Sequence, residues 1–140
     1  MSINFEPGKV YDGVIWREFL CVNSGSICYS KHLDSLVLIS NYTLAPTKDR
    51  WNGDTLLFTG YGKNGDQNID LHLNKMLADT CHSKKKLYLF EVRKPGQYLF
   101  LGNPVLSGEP FKELQRGWDG LMRNAWVFPL KIINTVNDDL

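Results

Sequence analysis

The hydrophobic period of this chain changes once, at Asp66, and that change constrains the fold more than any other feature. Beyond it Ile69, Leu73, Met76 and Leu77 fall on one face at i, i+4, i+7 and i+8, the spacing of an amphipathic helix. Asp66 is placed to cap it. Elsewhere the apolar residues come in short runs of strand type. Val10 to Leu20 reads as a strand that ends in a loop at Gly25. Ser35 to Ser40, with Leu36, Val37, Leu38 and Ile39 consecutive, predicts a central strand buried on both faces. Thr55 to Thr59 predicts a short strand entered through Asn52-Gly53 and left at Gly60. Leu87 to Val92 and Gln97 to Leu101 predict a hairpin across Lys94-Pro95-Gly96. Gly102 to Gly117 reads as an excursion over the surface. Ala125 to Ile133 reads as a last strand, at an edge or bulged at Pro129. Six strands around one principal helix predict an α+β, barrel-like domain over 1–133, with 134–140 a polar tail or the start of a linker.

A chain of 140 residues can bury a core without disulfides or metals. Sixteen Lys and Arg against fifteen Asp and Glu give +1, which excludes a strongly basic nucleic-acid tail but leaves room for a local basic face. Cys21, Cys28 and Cys81 are odd in number and show no Cys-x-x-Cys spacing, so buried reduced thiols are expected. A set of Cys21, Cys28 and His32 lacks the tight ligand pairs of structural zinc. Neither metal nor cofactor is therefore expected. Met1 to Gly8 is polar, and no apolar run approaches the ~20 residues that span a bilayer. A cytoplasmic protein without membrane contact is expected.

The segment Asp49 to Gln67 places a charged aromatic turn, an apolar strand and a glycine-rich loop ahead of the helix. Two kinds of site use such an arrangement. Gly60-x-Gly62-x-x-Gly65 satisfies a dinucleotide-binding pattern, and a carboxylate with a nearby aromatic suits a nucleobase swung out of duplex DNA. A dinucleotide fold needs strand–helix alternation on both sides of the loop, whereas hairpin signals follow here. Asp66 would also set a carboxylate where the pyrophosphate must lie. His32, His72 and His82 are scattered, no Ser-His-Asp or Cys-His arrangement can be placed, and no acidic cluster suggests a metal nuclease. The residues describe a reader, not an enzyme.

The order and spacing of several short motifs resemble one family. They are Gly8-Lys9-Val10-Tyr11, Gly25-Ser26-Ile27, Asp49-Arg50-Trp51, Phe58-Thr59-Gly60-Tyr61-Gly62, Gly65-Asp66-Gln67 leading to Asn74, Leu89-Phe90-Glu91, Tyr98-Leu99-Phe100-Leu101-Gly102, and Asp119-Gly120 through Arg123 to Trp126-Val127-Phe128-Pro129-Leu130. Over most of its length the chain resembles the SRA, or YDG, domain, in the version fused to HNH nucleases in modification-dependent (type IV, McrA-like) restriction enzymes.

That resemblance implies an SRA/PUA-like twisted β-barrel with one principal helix and short flanking helices. It implies a double-stranded DNA partner in which one modified cytosine, 5-methyl- or 5-hydroxymethylcytosine, is flipped into a pocket. On residue chemistry alone Asp49 opens a turn and Phe58 joins the core. The resemblance assigns them to the pocket instead, since in the family an aspartate nine residues before the aromatic accepts from the cytosine amino group while the aromatic stacks. Thr59 and Gly60 complete that turn. Pro46 and Thr47 stand where the family carries a second aromatic, so either Tyr42 or Trp51 supplies the other wall or the pocket is more open. Removing that ring leaves room beside the cytosine 5-position, and Thr47 or a nearby backbone group is a hydrogen-bond partner for an added hydroxyl. The loop from Asn23 to Tyr29 resembles one that enters a groove, with Ile27 as apolar wedge and Asn23 or Ser24 as polar plug; as a plain sequence it reads equally as a hairpin tip. Lys63, Lys48, Arg50, Lys84 and Lys85 are the expected phosphate contacts. Cleavage would belong to an HNH nuclease domain beyond Leu140 or to a partner. A PUA-like RNA or small-ligand module is the alternative.

Overall fold

A computed structural model of the chain describes residues 5–13, 17–21, 25–43, 48–83 and 85–132. The strands are β1 (Val10–Asp12), β2 (Ile27–Ser30), β3 (Ser35–Asn41), β4 (Arg50–Asn52), β5 (Thr55–Thr59), β6 (Lys86–Lys94), β7 (Gln97–Gly102), β8 (Pro104–Leu106), β9 (Phe111–Arg116) and β10 (Met122–Ile132). Helix α1 (His72–Ala78) lies between β5 and β6 and runs into a 3-10 turn, Asp79–Cys81. No helix among the described residues is long and apolar enough to cross a membrane.

The strands form two open sheets, ordered β1-β7-β6-β3-β2 and β4-β5-β10-β8, with β9 also paired to β10. Pairing among the described residues therefore does not close the barrel expected from the sequence. The first sheet is the middle layer. Alternate residues of a strand point to opposite faces, and the unbroken apolar runs of β3 and β6 supply a core on each. Val37, Ile39, Tyr88, Phe90 and Val92 face one cluster with Phe19 and Phe100. Leu36, Leu38, Leu87 and Leu89 face the other, built with Leu56 and Phe58 of β5, Phe128 and Leu130 of β10, and Leu77 of α1. Full burial of each such side chain is worth about 1.5–3 kcal/mol. β3 and β6 run parallel, an arrangement suited to strands covered on both faces.

Several expectations change. Among the described residues of the first predicted strand, Val10–Asp12 alone is extended. The helix begins at His72, not near Asp66, and Asp66 accepts the amide of Asn124 at 2.8 Å instead of capping. The expected surface excursion contains β8 and β9, which take β10 as their partner. Pro129 sits inside the second sheet, opposite Leu57. Its carbonyl accepts from Ser107 at 2.9 Å, in the interval between the β9 ladder, which ends at Val127, and the β8 ladder, which starts at Leu130. A strand residue's N–H and C=O point the same way, so the missing proline donor falls in a gap where no ladder bond is lost.

Candidate nucleic-acid interface

Asp49 lies where the ends of the two sheets approach each other. Its Oδ2 accepts from the Ser40 hydroxyl of β3 at 2.8 Å, and its Oδ1 accepts from the Thr59 amide of β5 at 2.7 Å. The residue is 9% exposed, so the carboxylate is fixed by two donors from different sheets yet still reaches the surface. Thr59 is in turn held by Gln115 of β9, whose Nε2 donates to the Thr59 hydroxyl at 3.1 Å and to Glu113 at 2.9 Å. Tyr42 is half-buried just after β3, with the Arg93 guanidinium 4.2 Å from its ring centre. Burial raises the Tyr42 phenol above its ordinary value, a hydrogen bond with Ser40 opposes this, and the charges of Asp49 and Glu91 add to the rise. Tyr42, Ser40 and Asp49 thus form one polar cluster at the mouth between the sheets.

The glycine-rich loop begins where this cluster ends. Gly60 donates to the Trp126 carbonyl at 2.8 Å and is buried. A Cβ there would lie 2.6 Å from Asn74 Oδ1 and 2.9 Å from the Phe128 ring. The loop's backbone is satisfied by amides and a guanidinium. Gln67 Nε2 donates to the carbonyls of Gly60 and Gly62, Asn74 bonds both the N–H and the C=O of Tyr61, and Arg123 donates to Gly62 at 2.7 Å. Loops rich in glycine leave backbone groups without a ladder, and buried polar side chains must replace it. The loop is also separated from α1 by Asn68–Leu71, so it does not set a helix N-terminus against a phosphate. Both facts argue against the dinucleotide reading.

The expected site residues are only partly brought together. Asp49, Thr59, Gly60 and Tyr42 adjoin. Phe58, expected as a stacking wall, is 0% exposed and packed in the second core; alternation along β5 turns it inward with Leu56, leaving no face for a base. Ile27, expected as a groove wedge, is equally buried in that core. The same turn does border the site, since the Ser26 hydroxyl donates to the Gly60 carbonyl at 3.3 Å. Trp51 is exposed on β4 beside Leu56. Asn23, Ser24, Thr47 and Lys84 lie outside the described residues.

The expected cations differ in availability. Arg50 is engaged with both oxygens of Glu113, at 2.6 and 3.1 Å. Lys85 pairs with Asp34 at 3.2 Å, and Lys63 stands 4.7 Å from the Trp118 ring centre. Lys48 is exposed. Cys21 and Cys28 are buried in the first core, with their side chains in contact. No group of three metal-ligating side chains occurs among the described residues. Ser40 and Gln115 escaped the sequence reading as site residues, and Arg123 entered it only as part of a family motif. Gln67 and Asn74 had a signal, being amides placed just after a glycine loop that needs them.

The family model described as "ScoMcrA-like, SRA domain" matches residues 8–139. Among solved structures, the sulfur binding domain and SRA domain of ScoMcrA complexed with phosphorothioated DNA is 19% identical, with a TM-score of 0.77 over 94% of this chain and 40% of that one. The type IV phosphorothioation-dependent restriction endonuclease ScoMcrA gives a TM-score of 0.76 at 19% identity, over 94% of this chain and 28% of that one. The chain thus spans less than half of either. The SUVH5 SRA complex with methylated CHH DNA gives 0.67 at 20% identity, over 91% of this chain and 88% of that one. No curated protein matches the sequence.

Proposed function

Because the chain belongs to the ScoMcrA-like SRA domain family, we propose that it reads modified cytosine, 5-methyl- or 5-hydroxymethylcytosine, in duplex DNA by receiving the flipped base beside Asp49. The observation that carries this reading is the carboxylate itself, oriented in advance by Ser40 and Thr59. A carboxylate accepts from the cytosine N4 amino group and opposes the thymine O4 carbonyl. Fixing the carboxylate before binding lowers the ordering cost. Tyr42 takes the stacking role that buried Phe58 cannot. Lys48 and Lys63 contact phosphates, while Arg50 and Lys85 mainly organise the protein surface through Glu113 and Asp34. Flipping a base costs a few kcal/mol, offset by stacking worth ~1–3 kcal/mol on an aromatic ring. DNA cleavage belongs to a nuclease domain or partner.

The test is a binding panel of duplexes carrying cytosine, 5-methylcytosine, 5-hydroxymethylcytosine, glucosylated cytosine or a phosphorothioate linkage. Preference for methyl- and hydroxymethylcytosine is expected, with hydroxymethyl bound at least as well as methyl. Preference for the phosphorothioate alone would move the readout from base to backbone. Equal binding throughout, or tighter binding to structured RNA, would refute the proposal in favour of a PUA-like module.

A further inference from the structure

The turn joining β9 to β10 is built unlike an ordinary hairpin tip. Its polar groups are bonded to one another and to the neighbouring loop. Gly117 donates to the Leu121 carbonyl at 2.8 Å, Leu121 to the Asp119 carboxylate at 3.0 Å, and Arg116 to the Gly120 carbonyl at 2.6 Å. The turn is also clamped onto the glycine-rich loop, since Trp118 donates to the Lys63 carbonyl at 3.1 Å and Asp119 to Asn64 Oδ1 at 2.8 Å. Left facing outward are Trp118, Leu121 and Met122, at 42, 68 and 51% exposure. Cations border them, with Lys63 over the Trp118 ring and Arg116 at the base of the turn.

We infer that this clamped turn is an apolar wedge that enters DNA next to the flipped base. The inference rests on the DNA reading above and deepens it. An apolar wedge separates base steps only if its backbone does not yield, and the hydrogen bonds to the glycine loop supply that stiffness. The cationic rim matches the phosphates that flank a groove. Position agrees as well. Gln115, which holds Thr59 beside Asp49, lies two residues before Gly117, a run of ~7 Å in an extended strand. Ile27 cannot serve as the wedge, because it is buried.

The experiment places 2-aminopurine beside a modified cytosine and follows its fluorescence and the binding affinity together. Wild-type protein is expected to raise the fluorescence as the step unstacks. Leu121→Ser and Trp118→Ala, both at exposed positions, are expected to lose at least about half of that rise and to bind the paired duplex about tenfold more weakly. On a duplex whose modified cytosine is mispaired, the loss should shrink to about twofold or less, because unstacking is already partly accomplished. Circular dichroism checks that both variants fold. An equal loss on both duplexes, or no loss on either, overturns the wedge. Failure of the wild type to prefer modified over unmodified DNA would instead refute the underlying function, whatever the variants do.

Discussion

Asp49 and Thr59 are joined by a 2.7 Å hydrogen bond from amide to carboxylate, and with the Ser40 hydroxyl on the other oxygen this places the carboxylate proposed to read the base within the structural tie between two sheets. Removing the group therefore mixes two effects, which different substitutions can separate.

Asp49→Asn keeps a carbonyl oxygen for the Thr59 amide, and the Ser40 hydroxyl can turn to accept from the new amide group. Stability is expected to change by about 1 kcal/mol or less, while discrimination for modified cytosine disappears. Asp49→Ala leaves the Thr59 N–H without this acceptor and should cost ~1–3 kcal/mol of stability as well. Urea unfolding and fluorescence anisotropy measure the two quantities; full discrimination by Asp49→Asn would remove Asp49 from the reading role.

Phe58→Ala should behave as a core truncation. Its ring is wholly enclosed, so a loss of about 3–5 kcal/mol in unfolding free energy is expected. Protein that remains folded should keep its ratio of modified to unmodified DNA binding. A selective loss of modified-DNA binding without destabilisation would restore Phe58 as a pocket wall.

Gly60 and Gly65 give a contrasting pair. At Gly60 a Cβ meets Asn74 Oδ1 at 2.6 Å, and that oxygen accepts from the Tyr61 amide, so it cannot move without releasing the loop. Gly60→Ala is expected to cost ~1–3 kcal/mol through overpacking and to speed hydrogen exchange at Tyr61. Gly65 has open space around it but a φ of +71°, so Gly65→Ala pays only the left-handed backbone cost, ~1–2 kcal/mol, and Gly65→Asn less. Equal exchange rates at Tyr61 in the Gly60 and Gly65 variants would contradict this division.

Glu113 carries a pH signature. The Arg50 guanidinium holds its carboxyl below the ordinary value of 4.5, against desolvation, with a further contribution from Gln115. A depressed folded-state value means that the folded protein binds fewer protons. The stabilisation is complete above the unfolded value and is lost as pH falls through the folded one. Both side chains are partly exposed, so Arg50→Ala should cost about 1 kcal/mol or less near pH 7. The difference from wild type in urea midpoints should shrink as pH falls below the ordinary carboxylate range and through the depressed folded-state value, where the carboxylate protonates. A difference that persists unchanged in acid would show that Arg50 acts through packing and not through Glu113.

Local chemistry made much of the scaffold legible. β5 spans Thr55–Thr59 as its bounding turns, Asn52-Gly53 and Gly60, require, and the Leu36–Ile39 run became a strand buried on both faces. The β6–β7 hairpin follows from Pro95-Gly96. In each case a property of a few adjacent residues decides the outcome. The helix start shows the limit. Asp66 is a competent cap, but the Asn124 amide, 58 residues on, competes for its carboxylate and takes it.

Faces and partners lay beyond the sequence for the same reason. The nine-residue spacing of Asp49 and Phe58 marks the family likeness, but which way the ring points depends on the packing of β5 and β10 against the first sheet, and that packing turns it into the core. β8 is only three residues long and β9 carries Phe111 and Leu114 as its apolar residues, without strand alternation, so both rest on the ladder that β10 offers them. The sequence by itself determined the strand-rich scaffold, its turns and the carboxylate at position 49. Only the tertiary structure decided that Ser40 and Thr59 hold that carboxylate, that Tyr42 joins its polar cluster and that Phe58 is enclosed in the core, because hydrogen bonds and burial between distant segments depend on where the whole chain brings them.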